Sequence, residues 1–442
     1  MITEALKIVE ILRNHGFEAL FAGGCVRDRL MGIPFHDIDI ATSATPDQIE
    51  ALFPKTIPVG KSFGVIIVIE NDIQFEVATF RTDGISSDGR HPDTVNFSSK
   101  EEDAKRRDLT INAMFYDPTA DKILDFVNGQ KDIESRIIRF VGNPRQRIEE
   151  DKLRMIRAIR FAARFDFDID ADTSTAIKEM AHLVTTISEE RIAEEIIKIL
   201  QLHKSRKAFD LLLNHNLLEH ILPEVKTLIG VEQPVDFHPE GDVFQHTILA
   251  LEQLSKDASP ELLLGMLLHD IGKPATFKIA ERIRFDGHDD RGVEIADRIL
   301  KRLKFSNETI ERVKALIANH MRFAHVKKMR VSKLKRFINM PFFDEHIAIH
   351  RADCLSSHGG LDNVDFVIEQ RDSFPPEELK PPRIITGHDL IAMGFKQGPI
   401  FKKILTEIED MQLENVIKTR EEAIQKIKDN YGNELGHSSN QL

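Results

Sequence analysis

Short apolar runs separated by turns fill the first 130 or so residues. Ala19 to Ala22, Ile38 to Ala41, Val65 to Ile69 and Phe75 to Phe80 each read as strands. Asn71-Asp72 between two of these runs predicts a tight hairpin turn, which carries Glu76 onto the strand that leaves it. From about Asp132 to Leu218 the pattern becomes helical, with long stretches free of Gly and Pro and with periodic Ile, Leu and Ala. Helices dominate from there onward. Pro223, Pro234 and Pro239 punctuate a boundary near 220 to 240, and Pro375, Pro376, Pro381 and Pro382 mark another before the C-terminal helices. His437 to Leu442 reads as a frayed tail. The pattern predicts an α+β multidomain chain, with a mixed sheet and helices over 1–130 and all-α segments over 131–220, 221–375 and 376–442.

Composition narrows the class. A chain of 442 residues exceeds one ordinary core and predicts roughly three domains. The formal net charge of -12 excludes a surface coated in basic charge, so any nucleic-acid contact must be a local patch. The two cysteines, Cys25 and Cys354, lie far apart without CxxC spacing, which argues against a disulfide framework and a zinc knuckle. No run reaches the ~18 apolar residues of a spanning helix, and Met1 to Leu12 carries Glu4, Lys7 and Glu10 where a signal peptide would be apolar. A cytoplasmic location with no membrane partner is expected. Oligomeric state is not legible.

Candidate chemistry begins at Gly23-Gly24-Cys25-Val26-Arg27-Asp28, followed within ten residues by Asp37-Ile38-Asp39. Alternate residues of an extended strand share a face, so Asp37 and Asp39 point the same way. Two carboxylates beside a bound triphosphate suit Mg²⁺, which prefers oxygen ligands. Gly23 and Gly24 let the backbone approach a triphosphate, and Arg27 offers it a fork of donors. Glu76 is a candidate third carboxylate. The combination points to two-metal nucleotidyl transfer.

Glu150 to Arg164 separates on a helical wheel. Met155, Ile156, Ile159, Ala162 and Ala163 form a buried stripe, and Asp151, Arg154, Arg157 and Arg164 take the opposite side. Arginines crowded on one surface repel, and a bound polyanion would relieve them. Asp151 and Arg154, three residues apart, offer an acceptor beside a donor. Cytosine and adenine present an amino donor and a ring-nitrogen acceptor, whereas uracil and guanine reverse the pattern and would leave buried groups unpaired. The pair would therefore pass CTP and ATP. The alternative is an ordinary i,i+3 salt bridge.

These residues resemble bacterial tRNA nucleotidyltransferases, the CCA-adding enzymes of the class that also contains bacterial poly(A) polymerases. The likeness runs over Gly23 to Asp39, Arg106-Arg107-Asp108-Leu109-Thr110-Ile111-Asn112-Ala113 and Glu150 to Phe165, and more loosely over Arg191 to Leu200. It implies that Asp37 and Asp39 bind the catalytic metals, and that Gly24, Arg27, Arg107, Asp151, Arg154, Arg157 and Arg160 contact the incoming nucleotide. It also implies a head, neck, body and tail, with tRNA along the basic side and CTP and ATP as substrates. Asp83 to Val95 is similar to the flexible loop that the family uses for the terminal A, although Ser86 and His91 stand where Tyr and Arg are frequent. Enzymes that add only the two cytidines tend to lack that loop. An A-adding enzyme and a poly(A) polymerase remain alternatives.

A second constellation follows. His246, then Leu267-Leu268-His269-Asp270-Ile271-Gly272-Lys273, with His288, His320 and Asp353 further on, resembles an HD domain. Imidazoles with a carboxylate suit Mn, Ni, Fe or Zn ions, whose bound water can attack a phosphoester. The resemblance implies His246, His269, Asp270 and Asp353 as ligands, His288 and His320 as second-ion candidates, and a phosphohydrolase acting on a damaged or cyclic 3′ phosphate. The remaining alternative, from another class, is an HD phosphohydrolase whose head only binds RNA or nucleotides.

Overall fold

The computed structural model describes residues 1–35, 37–84, 94–236 and 238–432. Contacts divide the chain into two units, one of residues 1–230, 256–263 and 297–310, the other of residues 231–255, 264–296 and 311–442. Residues 1–220 thus fall in the first unit.

The first unit opens on a helix, Ile2–Asn14, whose Ala5, Ile8, Val9 and Leu12 are buried at helical spacing. The strands are β1 (Ala19–Ala22), β2 (Asp39–Thr42), β3 (Thr56–Gly60), β4 (Val65–Glu70), β5 (Ile73–Thr79), β6 (Arg81–Asp83), β7 (Val95–Phe97), β8 (Phe115–Asp117) and β9 (Lys122–Leu124). Seven form a mixed sheet in the order β3-β4-β5-β2-β1-β8-β9, while β6 and β7 pair with each other. Only β2 and β5 run parallel within that sheet. The expected hairpin is present: Asn71 and Asp72 both take positive φ, 51° and 61°, between antiparallel β4 and β5.

Alternation along the strands builds two layers. Phe21, Ile40, Phe75 and Val77 pack with the first helix in one core, whereas Leu20, Ala22 and Ala41 join Phe80, Ala104 and Phe115 in a smaller one. Asp39, one residue before Ile40, falls on the side of the smaller core, so the candidate site opens on the less thickly covered face. Strands β3, β8 and β9 escaped the sequence pattern. Thr56–Gly60 is a largely exposed edge containing Pro58, and β8 and β9 have three residues each, too few to show a period.

Helices Pro144–Glu150, Leu153–Phe165, Ala171–Met180, Glu189–Leu200 and Ser205–Asn214 complete most of this unit. The expected continuous helix through Asp151 is interrupted. Asp151 is extended (φ -151°, ψ 107°), and its Oδ1 accepts from the Leu153 N–H at 3.1 Å. A short acidic side chain competes for backbone donors and favours a helix start over a helix interior.

The second unit is helical apart from a two-stranded hairpin, Lys278–Ile279 with Ile283–Arg284. One of its cores gathers Phe323, Leu334, Phe337, Phe343 and Val367. Another holds the C-terminal helices Gly387–Ala392, Pro399–Leu413 and Arg420–Tyr431 through Leu390, Ile404, Ile408, Ile427 and Tyr431. No helix among the described residues is long and apolar enough to cross a membrane. Most of the expected A-addition loop, residues 85–93, and the expected frayed tail, 437–442, lie outside the described residues.

Candidate functional site

Asp37 stands just before β2 and Asp39 begins it. The parallel register that sets Ile40 against Val77 carries Asp39 beside Glu76 of β5. Asp39 is open to solvent yet hemmed in by surrounding protein. That desolvation, with the like charges of Glu76 and Asp37, pushes its carboxyl up to about 6, against the pull of Arg107. Asp39 beside Glu76, with Asp37 two residues away, supplies carboxylate oxygens of the kind a hard cation takes.

Gly23 supplies the close approach. It takes φ 74°, and a Cβ there would meet Arg107 Nη1 at 3.3 Å and Asp39 Oδ2 at 3.6 Å. Its lack of a side chain keeps the guanidinium and the carboxylate next to each other. Arg107 is fixed from behind by Asp103 Oδ2, at 3.0 and 3.1 Å. Gly24 begins the helix Gly24–Leu30. Arg27 differs from expectation: it is 4% exposed and donates to Asp28 (2.8 Å) and Asn112 (2.5 Å). Its fork is committed inside the protein.

The arginine face of Leu153–Phe165 is also changed. The five stripe residues are buried as the wheel predicts, but the arginines are not left to repel one another. Arg154 pairs with Glu150 at 2.7 Å, Arg157 with Asp108 at 2.6 Å, Arg160 with Glu195 at 2.6 Å, and Arg164 approaches Asp28 at 3.9 Å. Three of these acids come from distant segments that a wheel cannot show. Burial resists ionisation of Asp108, yet Arg157 and the Leu109 N–H hold its carboxyl down at about 2. Arg160 is 8% exposed and turned inward, away from the half-buried Arg154 and Arg157.

Asp151 and Arg154 do not form the ordinary salt bridge. Asp151 Oδ2 accepts from Arg191 at 2.8 Å, while Arg154 donates to Glu150 and to the carbonyls of Arg147 and Arg106. Each side chain is held by its own partners, and the two are not bonded to each other. Phe161 and Phe165 are residues the sequence reading missed. Arg27, Arg157 and Arg160 lie 5.3, 5.7 and 4.4 Å from the Phe161 ring, and Arg27 and Arg164 lie 4.8 and 5.0 Å from Phe165. Two aromatic faces thereby space four guanidinium groups. The signal was the interleaving of Phe with Arg at i,i+4.

In the second unit the HD residues converge. His246, His269 and Asp353 form one cluster of donor atoms, and Asp270, His288 and His320 another. Asp270 touches both: its Oδ2 lies 3.2 Å from His269 Nε2, and its Oδ1 lies 3.5 Å from His288 Nε2. Every imidazole is aimed by its other nitrogen. The Nδ1 atoms of His269, His288 and His320 face the carbonyls of Met266 (2.7 Å), Phe285 (2.9 Å) and Ile317 (2.6 Å), and that of His246 faces Glu240 (2.6 Å). This leaves Nε2 directed inward as a lone pair. Nε2 of His246 lies 3.0 Å from Asp353 Oδ1 and Nε2 of His269 3.2 Å from Asp270 Oδ2, imidazole and carboxylate converging on one spot where a cation fits between them. Glu240 and Lys273 were not singled out in the sequence; Lys273 Nζ sits 2.7 Å from Asp270 Oδ2.

Comparison with known proteins bears on the family of the chain. Residues 19–139 match the family described as "Poly A polymerase head domain", 166–229 match an "RNA and SrmB- binding site of polymerase A", and 292–427 match "tRNA nucleotidyltransferase domain 2". A CCA-adding enzyme of Streptococcus mutans is 34% identical over 424 residues, 95% of this chain and 95% of the relative. The chain belongs to the CCA-adding enzyme family. A second CCA-adding enzyme, from Ligilactobacillus salivarius, is 49% identical over 198 residues, 45% of this chain; the match spans about half of that relative, 49%. Among solved structures, the Bacillus stearothermophilus CCA-adding enzyme in complex with CTP superposes with a TM-score of 0.76 at 28% identity, covering 98% of this chain and 99% of that one. A Thermotoga maritima CCA-adding enzyme complexed with tRNA shares the fold, with a TM-score of 0.57 at 18% identity. The α+β class with an N-terminal mixed sheet and helical remainder is that of CCA-adding enzymes.

Proposed function

We propose that the chain is a tRNA nucleotidyltransferase that adds C, C and A, from CTP and ATP, to the 3′ end of tRNA in the cytoplasm. The observation that carries this reading is Asp39 set among Gly23, Arg107 and Glu76 with Asp37 two residues before it, in one unit with Asp151 and Arg154, each held by its own partners. Residues 1–130 would act as the catalytic head, 131–220 as the selecting neck, 221–375 as the HD body and 376–442 as the tail.

Asp37 and Asp39 would hold Mg²⁺, which when bound neutralises triphosphate charge and lowers the barrier to attack by the 3′ hydroxyl. A bond forms between the terminal 3′ oxygen and the α-phosphorus as the bond from that phosphorus to the bridging α–β oxygen breaks; pyrophosphate leaves with its electron pair, and the hydroxyl proton passes to solvent. The protein's own share is positioning. Arg107, anchored by Asp103, offers guanidinium N–H groups beside the carboxylates. Asp151 accepts from the exocyclic amino group of cytosine or adenine while Arg154 donates to the ring nitrogen, and Arg157, pinned by Asp108, keeps that wall of the pocket cationic. Gly24, Arg27 and Arg160 complete the proposed nucleotide set, the latter two acting from inside the arginine–phenylalanine cluster.

The test is incubation with tRNA transcripts ending before CCA, after CC, or in unrelated sequence, with each labelled triphosphate. Addition of two C and one A to the first and of A to the second is expected. Long A tracts on all three would instead mark a poly(A) polymerase, and addition of A alone, only after CC, an A-adding enzyme.

A second activity is supported by the inward-aimed imidazoles. His246, His269, Asp270 and Asp353 would hold a Mn, Ni, Fe or Zn ion, with His288 and His320 serving a second, and the centre would act as a phosphohydrolase on a damaged or cyclic 3′ phosphate. Metal analysis of the purified protein should find at least ~1 transition ion per chain. His269→Ala should remove it and spare nucleotide addition.

A further inference from the structure

Above the inward-aimed imidazoles lies a cavity of about 870 Å³. Asp270, His288, His320 and Asp353 are among its lining residues. It is far larger than a phosphate requires and falls in the range of sites that hold a nucleotide-sized molecule. One wall is the hairpin Lys278–Ile279/Ile283–Arg284, from which Ile283, Arg284 and the adjoining Phe285 line the space. Lys278 and Arg284 are direct cross-strand partners. Two cations opposite each other destabilise a strand pair, and among the described residues neither has a carboxylate partner. The hairpin is also apolar where water reaches it: Ile279 is 76% and Phe277 38% exposed, and Phe277 lies 5.9 Å from Phe285. Asp286 and Asp289 line the same cavity and oppose a polyanion, and Arg282 and Arg284, which also line it, counter them.

Unpaired cations alternating with exposed aromatic and aliphatic faces are the elements that bind single-stranded nucleic acid, the cations on backbone phosphates and the faces under unstacked bases. We propose that this hairpin binds the last nucleotides of a single-stranded RNA, with Lys278 and Arg284 on internucleotide phosphates and the terminal phosphate entering the cavity toward Asp270 and His288. The proposal rests on reading the centre as a phosphoester site. It makes the substrate class an oligonucleotide end, not a free nucleotide.

The test uses the full chain with CTP present to fill the head, and a 5′-fluorescent tetranucleotide carrying a 3′ phosphate, followed by anisotropy. Lys278→Glu/Arg284→Glu should weaken its binding at least tenfold, against less than twofold for the charge-matched pair Lys122→Glu/Lys131→Glu on the exposed head surface. Competition by a mononucleoside 3′-phosphate should stay within twofold of the unmodified protein. The milder Lys278→Gln/Arg284→Gln, which avoids new charge repulsion, should flatten log K against log salt by about 1.4, about 0.7 for each of two phosphates. A loss no greater than the control pair's, or an equal loss for the tetranucleotide and the mononucleotide, would overturn the proposal. Metal content, measured on the same samples, reports on the phosphohydrolase reading separately: a metal-free protein whose tetranucleotide binding still depends on Arg284 keeps the RNA surface and loses the metal centre.

Discussion

Asp37 and Asp39 are exposed, and the cation beside Asp39 is Arg107, already bound to Asp103. At His246, His269, Asp270 and His320 the donor atoms are recessed, each residue no more than 2% exposed at the floor of the cavity, and each imidazole is turned by a carbonyl or by Glu240. The contrast follows from what each centre must admit. An open carboxylate cluster suits a cation that arrives with its triphosphate and keeps waters in its shell. A recessed, pre-aimed imidazole set suits an ion that stays.

The comparison breaks most sharply at Asp37. Asp37→Ala should lower nucleotide addition by about 10³-fold or more, while leaving tRNA binding within a few fold and transition-metal content unchanged. Loss of that metal in the same variant would mean the two centres are not independent. Arg154→Ala should reduce discrimination of CTP and ATP against UTP and GTP by about 10²-fold, measured as a ratio of kcat/KM values. A uniform loss for all four nucleotides would make Arg154 a general anchor.

Arg160 tests whether the arginine cluster is structural. Its guanidinium and Glu195 are both buried, so Arg160→Ala leaves that carboxylate with Lys198 alone, at 3.1 Å, and should destabilise the fold by up to about 3 kcal/mol in urea unfolding. An unchanged midpoint with a raised KM for CTP would place it directly on the nucleotide. The smallest expected effect concerns pH. Because the carboxyl of Asp39 is pushed up to about 6, the native state binds more protons than the unfolded chain between about pH 4 and 6. Its contribution to metal-free stability is therefore present at low pH and lost as pH rises through 6. Mg²⁺ needs the ionised form, so its stabilising shift in Tm should grow between pH 5 and 7.5. A shift independent of pH would detach Asp39 from the cation.

Contiguous chemistry was legible in the sequence and distributed chemistry was not. The glycine turn at Gly23, the Asn71-Asp72 turn and the stripe from Met155 to Ala163 are local patterns, and each appears in the structure where its period or turn residues place it. The break at Asp151 was missed because a wheel assumes a continuous helix, while one carboxylate at that position accepts the Leu153 N–H. The partners Asp108 and Glu195 lie 49 and 35 residues from the arginines they bind, and Glu240 reaches His246 only through a loop. No periodicity encodes such pairings. The HD histidines were named from a resemblance to HD domains, and the orientation of each Nε2 depends on carbonyls that no sequence displays.

The central claim is that Asp37 and Asp39 grip a divalent cation on a bound triphosphate while Asp151 and Arg154 read its base. A crystal structure with CTP and Mg²⁺ tests it most directly. The account predicts the cation between the two aspartates and the phosphates, with the cytosine amino group on Asp151 and its ring nitrogen facing Arg154. A triphosphate bound with Mg²⁺ away from both aspartates, or a base turned from that pair, would contradict it.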